Sequence, residues 1–423
     1  MPELARRRPL DERCPRSVYF LGDVGGGFGD GAGSRGGDAL GPKNRATEKS
    51  RKKFRRLLLL AFALTAALAV AKWSWIDAQA RAVVALSPLL ETPVLTPAVE
   101  AVTGEPRFSE TIVAGNPSLV VRPQGEGPWP AIFFVNGVVT EGRNLPEVRK
   151  LAEGLARAGY LVVVPDLPGL RRGEIRPETV HETLEVARTI SERPDARDGT
   201  VGLVGVSTGA TLSLLAAGDG EVAQRVSVVA GVAPYTDVRT VLSTATTGHY
   251  RGADGEMVPY EADPFLAGAI TQSLVSTLPP SRDRNVLLDE LEEVDRLRPE
   301  FLDELRGMGS DASSVAELLE NRDPARFDDL YAGLPEEVRA KMEELSPLAE
   351  GGHVNVPVEM VSGPHDKYFP LSETHAVVRI APQARVTVSE ALEHAELDSS
   401  VRHLPALLLM DGFVVRSLRQ TRL

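Results

Sequence analysis

Short apolar segments alternate with helical patterns through most of the chain, and this alternation restricts the fold more than any other feature. The segments are mostly unbroken apolar runs, as expected for strands that are covered on both faces. Between them, apolar residues recur at helical spacing, as at Val180, Leu184 and Ala187. Strands that alternate with helices form a mostly parallel sheet with helices on both sides. The predicted strands are Ser118–Arg122, Ala131–Val135, Tyr160–Val164, Val201–Val204, Val226–Val232, Val356–Val361 and Val386–Val388.

The alternation stops near Asp237 and resumes at Val356, which leaves residues 238–352 as an insertion. Apolar residues within it recur at spacings of three, four or seven, so we expect mainly helices there. The insertion either decorates the sheet or closes over a binding cleft as a lid or cap. The residues with this spacing are Leu287, Leu291, Val294, Phe301, Leu305 and Met308.

Residues 1–56 differ from the rest of the chain in charge. They hold 14 Lys and Arg against 7 Asp and Glu, whereas residues 57–423 hold 33 against 52. Non-specific binding of nucleic acid depends on clustered cations, so the acidic main part of the chain argues against a nucleic-acid partner. The only cysteine is Cys14, which excludes an intrachain disulfide and excludes a cysteine nucleophile from the later residues.

Glycine is concentrated in residues 22–41, which contain ten glycines and no apolar periodicity. Such a segment cannot bury enough surface to fold, so residues 1–56 are predicted to be a disordered basic tail. A G-x-G-x-x-G pattern occurs at Gly31, Gly33 and Gly36, but it lacks the following helical pattern that a dinucleotide site needs. The prediction is therefore that the protein uses neither a cofactor nor a metal.

A basic cluster and an apolar run follow this tail. Five of residues 51–56 are Lys or Arg, and the twenty residues from Leu57 to Ile76 are mostly apolar. At about 1.5 Å per helical residue, they span the roughly 30 Å hydrocarbon core of a membrane. We therefore predict one transmembrane helix at 57–76 in the cell membrane. The positive-inside rule then leaves the N terminus in the cytoplasm and the rest of the protein outside.

The same residues allow a second interpretation. An apolar run of this length is also typical of a secretory signal peptide, and Ala78-Gln79-Ala80 offers a cleavage site, after which the protein would be secreted. In both interpretations residues 77–104, which contain several prolines and no clear period, are predicted to be a linker. The remaining residues, 105–423, form one large domain that includes the insertion.

A G-x-S-x-G pattern, Gly205-Val206-Ser207-Thr208-Gly209, joins a predicted strand to a helix of small residues. Small residues on both sides of a serine permit the sharp strand-to-helix turn that exposes a nucleophile. The N terminus of the helix also directs backbone N–H groups toward developing negative charge. Ser207 is therefore the candidate nucleophile, and the alternative is a tight turn with a capping serine.

A serine nucleophile needs a histidine that accepts its proton and an acid that orients the histidine. Of seven histidines, His394 alone lies in a short loop between a late strand and the last helix. Asp366 follows the preceding strand, which gives the chain order serine, acid, histidine that accompanies this turn. Asp237, after the strand Val226–Val232, is the second candidate for the acid.

These motifs resemble those of serine hydrolases with the α/β-hydrolase fold, of the esterase and lipase type. The resemblance covers about residues 105–423 and includes Phe133-Phe134-Val135-Asn136-Gly137 at the position of the family's third strand. Many members have His-Gly where this chain has Asn136-Gly137. By resemblance, the backbone N–H groups of Val138 and Thr208 would form the oxyanion hole, and the insertion lies where the family commonly has its lid.

The sequence thus predicts a membrane-anchored serine hydrolase that cleaves an acyl ester of a small or lipid-like substrate. Ser207 would attack the carbonyl carbon, and His394, oriented by Asp366, would transfer the proton while an acyl-enzyme forms. Two alternatives stay open. One is a non-catalytic hydrolase-fold protein that binds a ligand or partner, and the other is an acyltransferase with the same three residues.

Overall fold

The computed structural model contains strands between residues 107 and 397. In the described residues they are β1 (Arg107–Val113), β2 (Asn116–Arg122), β3 (Trp129–Val135), β4 (Leu161–Pro165), β5 (Ala196–Val206), β6 (Val226–Val232), β7 (His249–Arg251), β8 (Met257–Pro259), β9 (Val358–Ser362), β10 (Arg385–Val388), β11 (Leu392–Glu393) and β12 (Glu396–Leu397).

Eight of these strands form one sheet in the order β1-β2-β4-β3-β5-β6-β9-β10. β2 is antiparallel to both of its neighbours, and the other neighbouring strands are parallel. This confirms the predicted fold class, an α/β-hydrolase-like fold with a mostly parallel sheet and flanking helices. Val206, Val232 and Val361 lie side by side in the register, so β5, β6 and β9 end at the same edge.

Helices flank the sheet and fill the insertion. In the described residues they are α1 (Trp73–Leu90), α2 (Leu95–Thr103), α3 (Pro146–Arg157), α4 (Pro168–Arg171), α5 (Pro177–Ser191), α6 (Thr208–Gly218), α7 (Val238–Thr247), α8 (Pro264–Thr277), α9 (Arg282–Leu291), α10 (Pro299–Gly307), α11 (Ser310–Glu320), α12 (Phe327–Ala332), α13 (Glu336–Glu343), α14 (Leu371–Ala376) and α15 (Leu404–Gln420), with short 3-10 turns at Gly142–Asn144, Ala223–Arg225, Pro324–Arg326, Val377–Arg379 and Val401–His403.

The structure describes residues 54, 55, 57–59, 62, 65, 72–90, 93–291, 299–349, 352–398 and 400–422. The glycine-rich tail and half of the predicted transmembrane helix at 57–76 lie outside these residues. Within them, none of the helices combines the length and the apolar character that a membrane crossing requires.

Alternating side chains of the strands separate two apolar layers. Phe133 of β3 belongs to one cluster with Ile190 and Leu212, while its neighbours Ile132 and Phe134 belong to the other. Helices α5 and α6 and the insertion cover the first face, and α1, α3 and α15 cover the second. Burial on both faces explains why the central strands are continuous apolar runs.

The segment predicted as a linker, 77–104, contains most of α1 and all of α2. Ala78, Ala82 and Ala85 are buried on one face of α1, which packs against α3 and α15. Gly154 of α3 permits this approach, because a Cβ atom there would overlap the carbonyl oxygen of Ala85. The contact depends on small side chains, which give little signal in an analysis of apolar periodicity.

Strand β1 was not predicted either. Its residues are mostly exposed, and even Ile112 is 64% accessible, because β1 is the edge strand of the sheet. An edge strand with one exposed face lacks the continuous apolar run that identifies the central strands.

The insertion begins with α7, directly after β6. In its described residues it consists of α7 to α13 and the antiparallel hairpin formed by β7 and β8. Apolar residues of α7, α8 and α13 are buried in the same cluster as the first face of the sheet. Val294, one of the residues that predicted helices here, lies outside the described residues.

Candidate active site

Ser207 occupies the turn between β5 and α6. Its backbone has φ 56° and ψ −128°, a left-handed conformation that a residue with a side chain rarely adopts. Its N–H donates to the carbonyl oxygen of Val232 at 2.7 Å, and its carbonyl accepts from Ala210 N–H at 2.9 Å. Such strain costs on the order of 1–3 kcal/mol and persists only where the surrounding fold enforces it.

The glycines on both sides of Ser207 allow this turn to form. A Cβ atom at Gly205 would overlap the backbone of Gly209, and one at Gly209 would overlap the carbonyl oxygen of Val135. Gly137 also lies close to Ser207, since a Cβ atom there would be only 3.1 Å from Ser207 Cβ. The spacing of glycines seen in the sequence therefore has a steric cause in the fold.

Asp366 lies in the loop after β9, and its carboxylate is almost fully buried. One carboxylate oxygen, Oδ1, accepts from the N–H groups of Tyr368 at 2.8 Å and Phe369 at 3.0 Å. The other, Oδ2, lies 2.8 Å from His394 Nδ1. Because a carboxylate can only accept in this contact, Nδ1 carries the proton and Nε2 of a neutral ring is left as an acceptor.

The ring of His394 lies between this carboxylate and two aromatic rings. The centroid of Tyr368 is 4.4 Å from that of His394, and the centroid of Phe369 is 5.8 Å away. His394 itself is buried, and its backbone is left-handed at φ 51°. The acid, the backbone turn and the two rings together restrict the orientation of the imidazole.

The insertion also contacts the Asp366 loop, through Tyr260, the residue that follows β8. The Tyr260 hydroxyl donates to the backbone carbonyl of Asp366. Burial raises the pKa of Tyr260 above its usual range, and the nearby Asp366 charge acts in the same direction. The phenol therefore stays protonated and keeps donating across the neutral pH range.

A cavity of about 760 Å³ lies at the carboxyl edge of the sheet, and both Ser207 and His394 line it. Its volume is in the range of small-molecule sites, and most of its lining residues are apolar. The insertion contributes side chains from α7, α8 and α13, among them Val238, Leu266 and Met342.

The candidate oxyanion residues, Val138 and Thr208, line the same cavity. Thr208 is the first residue of α6, so its N–H has no partner within the helix. Asn136 also lines the cavity, and its buried side-chain Nδ2 has no hydrogen-bond partner among the described residues. Residues that can donate from an N–H group therefore line the same cavity as Ser207.

Asp237, the second candidate for the acid, serves another purpose. Its carboxylate accepts from Arg239 N–H at 2.9 Å and so caps the N terminus of α7. Its own N–H donates to the carboxylate of Glu373, which also accepts from Thr236. Burial raises the pKa of Glu373. This carboxylate joins the start of the insertion to α14.

Several residues that surround the candidate site carry no recognisable signal in the sequence. Tyr260 and Tyr368 carried no motif that pointed to His394 or Asp366. Leu89 and Leu90, at the end of α1, line the cavity although they fall in the predicted linker. None of these contacts has a local sequence signal, since each depends on residues far apart in the chain.

Comparisons with known proteins give one family. The sequence profile of the X-Pro dipeptidyl-peptidase (S15) family matches residues 117–389, which include Ser207 and Asp366 and end just before His394. No curated protein sequence matches the chain.

Solved structures with a similar fold include esterases, a peptidase and another hydrolase. Esterase B from Lactobacillus Rhamnosis has 14% identity and a TM-score of 0.41, with 82% of this chain and 97% of that chain covered. The Pyrococcus horikoshii acylaminoacyl peptidase has 15% identity and a TM-score of 0.45, covering 77% and 44%. A 2,6-dihydroxy-pseudo-oxynicotine hydrolase has 17% identity and a TM-score of 0.42, covering 76% and 70%.

Proposed function

The chain belongs to the X-Pro dipeptidyl-peptidase (S15) family, and on that premise we propose that it cleaves an acyl ester through Ser207, His394 and Asp366. Its family makes it a serine hydrolase that acts on ester or peptide-like bonds. The observation that carries the finer proposal is the 2.8 Å contact between His394 and Asp366 at the cavity that Ser207 lines.

The proposed reaction follows from the roles available to these side chains. Ser207 Oγ attacks the acyl carbonyl carbon while His394 Nε2 takes the hydroxyl proton, and Asp366 stabilises the imidazolium that forms. The histidine then returns the proton to the leaving alcohol, which leaves an acyl-enzyme on Ser207. A water molecule, activated by the same histidine, releases the acid and restores the serine.

Negative charge on the carbonyl oxygen requires donors that are already in position. We assign this role to the backbone N–H groups of Val138 and Thr208, supported by their location at the cavity and by the free first turn of α6. Fixed donors of this kind are worth about 10²–10³ in rate. The helices of the insertion that line the cavity would act as its cover.

A fluorophosphonate probe tests the nucleophile. The purified protein should become covalently labelled. Ser207→Ala should remove the label, because Ser207 is the serine that we propose His394 activates. Heat-unfolded protein is the control for non-specific reaction. Equal labelling of the wild type and the alanine variant would show that Ser207 is not the nucleophile.

We also propose that the protein is anchored in the cell membrane by residues 57–76. The support is the basic cluster and the apolar run in the sequence, which ends with exposed Trp73 and Trp75 at the start of α1. Carbonate-washed membranes should then retain the full-length protein. Recovery of a soluble form that begins near Arg81 would support the secreted alternative instead.

A further inference from the structure

One wall of the cavity comes from outside the family-matched residues. Leu89 and Leu90, the last two residues of α1, line the same space as Ser207 and His394. Helix α2 and strand β1 lie between them and the start of the matched region, 117–389. This part of the cavity is therefore formed by residues that the family match does not include.

Helix α1 is held firmly enough for its last residues to define a wall. The Gln79 side chain donates to both carboxylate oxygens of Asp411 in α15, at 2.7 and 2.9 Å. Asp77 accepts from Arg81 at 2.9 Å and from Arg422 at 2.6 Å. Close packing on α3 through the buried alanines completes the attachment.

The wall is apolar, and α3 extends it. Leu145, just before α3, and Val148 and Leu151 within it line the cavity together with Leu89 and Leu90. A binding surface made of aliphatic side chains matches a hydrocarbon chain, because burial of each CH2 group stabilises the complex and no hydrogen bond is required.

Acidic side chains occur only at the margin of the described lining. Glu147 and Glu396 are the two, both are exposed, and Glu396 lies 3.7 Å from Lys367. A substrate with a free, charged amino group would need a carboxylate inside the cavity to offset the loss of hydration. The interior instead offers aliphatic contacts.

We propose that Leu89 and Leu90, together with the α3 side chains, bind the apolar chain of an acyl ester and set the length of chain that the enzyme accepts. The assignment rests on the proposed reaction at Ser207. The substrate class is an ester whose acyl group is a hydrocarbon chain of medium length or longer.

Hydrolysis of p-nitrophenyl esters by the full-length protein tests the assignment. The series is acetate, butanoate, octanoate and hexadecanoate, with kcat/KM measured for each. For the wild type, kcat/KM should rise with chain length by up to about fourfold per CH2 group until the wall is covered. A preference for acetate, or no dependence on length, would contradict the proposal.

Two variants alter the wall in opposite directions. Leu90→Trp fills the cavity and should lower kcat/KM for octanoate by about tenfold or more, while acetate changes by less than about twofold. The double variant Leu89→Ala/Leu90→Ala widens it and should shift the optimum toward hexadecanoate. Val83→Trp is the matched control, since Val83 lies on α1 and is 39% exposed. It should leave the length profile unchanged.

The proposal fails if Leu90→Trp lowers the rates of all esters equally, or if an X-Pro dipeptide anilide is preferred over octanoate and is unaffected by this change. Fluorophosphonate labelling of each variant shows whether Ser207 remains reactive, so a folding defect is distinguished from a change in specificity.

A binding measurement separates the wall from the reaction. A dansyl-labelled undecanoic acid should bind to Ser207→Ala, and adding Leu90→Trp should weaken binding about tenfold. If binding behaves in this way but the wild type shows neither labelling nor hydrolysis, the wall is correct and the proposed function is wrong. If hydrolysis occurs but neither binding nor chain-length preference responds to Leu90→Trp, the wall is wrong and the proposed function stands.

Discussion

Ser207 and His394 are held at the cavity by different kinds of structure. The position of Ser207 follows from backbone packing, with β5, α6 and two glycines in contact and a hydrogen bond to Val232. The orientation of the His394 ring depends in addition on side chains, namely the Asp366 carboxylate and two aromatic rings. Changes near Ser207 should therefore affect folding, whereas changes near His394 should affect the reaction in a protein that still folds.

Among changes near His394, Asp366→Asn should reduce the reaction rate the most. The amide presents an N–H group to His394 Nδ1, which favours the wrong tautomer, while an amide oxygen still accepts from Tyr368 and Phe369. We expect kcat to fall about 10⁴-fold with little change in the urea unfolding midpoint.

Asp237→Asn is the matched control for this change. Asparagine caps a helix as well as aspartate does, so both activity and stability should stay close to the wild type. If Asp237→Asn reduced activity as strongly as Asp366→Asn, the assignment of the acid would be wrong.

Gly209→Ala should have the next largest effect, and this effect should be on the stability of the fold. The added Cβ would overlap the carbonyl oxygen of Val135, and both groups belong to the buried backbone. We expect a loss of about 4 kcal/mol or more in the free energy of unfolding, measured by urea denaturation.

Gly220→Ala provides the control, since a Cβ atom there has open space around it. Its free energy of unfolding should stay within about 0.5 kcal/mol of the wild type. If the Gly209→Ala protein had normal stability but no activity, backbone packing would not be what holds Ser207 in position.

Tyr368→Ala should give a smaller effect, on the reaction. Removal of a ring 4.4 Å from the imidazole lets His394 turn, and aromatic pairs of this kind are worth about 0.5–1.5 kcal/mol. We expect kcat/KM to fall about tenfold, whereas Tyr368→Phe, which keeps the ring, should remain within about twofold. Equal losses in both variants would assign the role to the hydroxyl instead.

The smallest expected effect concerns pH. Burial raises the pKa of Glu373 above its ordinary 4.5, so the folded state holds this proton more tightly than the unfolded state. Glu373 therefore makes its full contribution to the free energy of unfolding below about pH 4.5. This contribution declines as the pH rises through the pKa that Glu373 has in the folded state. Glu373→Gln should remove this decline.

Urea midpoints of the wild type and Glu373→Gln, measured from mildly acidic to neutral pH, test this expectation. The difference between the two proteins should change with pH in the direction that favours the variant at higher pH. A constant difference would show that Glu373 keeps an ordinary pKa in the folded state.

The sequence predicted those parts of the protein that depend on local patterns. The Ser207 turn needs small residues at fixed positions, and the strand Val226–Val232 is mostly apolar because both its faces are largely buried. Chain order also selected Asp366 and His394, although only the fold brings their side chains together.

Features that depend on distant contacts were not predicted. Helix α1 packs on the domain through small alanines, one of which lies against Gly154. Its leucines line the cavity only because the helix ends there. The Tyr260 hydroxyl reaches the Asp366 backbone across more than a hundred residues. Neither close packing of small residues nor a single long-range hydrogen bond produces a periodic signal in the sequence.

The candidate cleavage site after Ala80 lies in the middle of α1. A cut there would leave only residues 81–90 of the helix and would remove Asp77 and Gln79, whose bonds tie α1 to the C-terminal residues. Ala82 and Ala85 would still pack on α3, but the hydrogen bonds to the C-terminal residues would be lost. A cut there would therefore do more than separate the protein from its proposed anchor, since it would also loosen the proposed wall of the cavity and so alter which substrates the enzyme accepts.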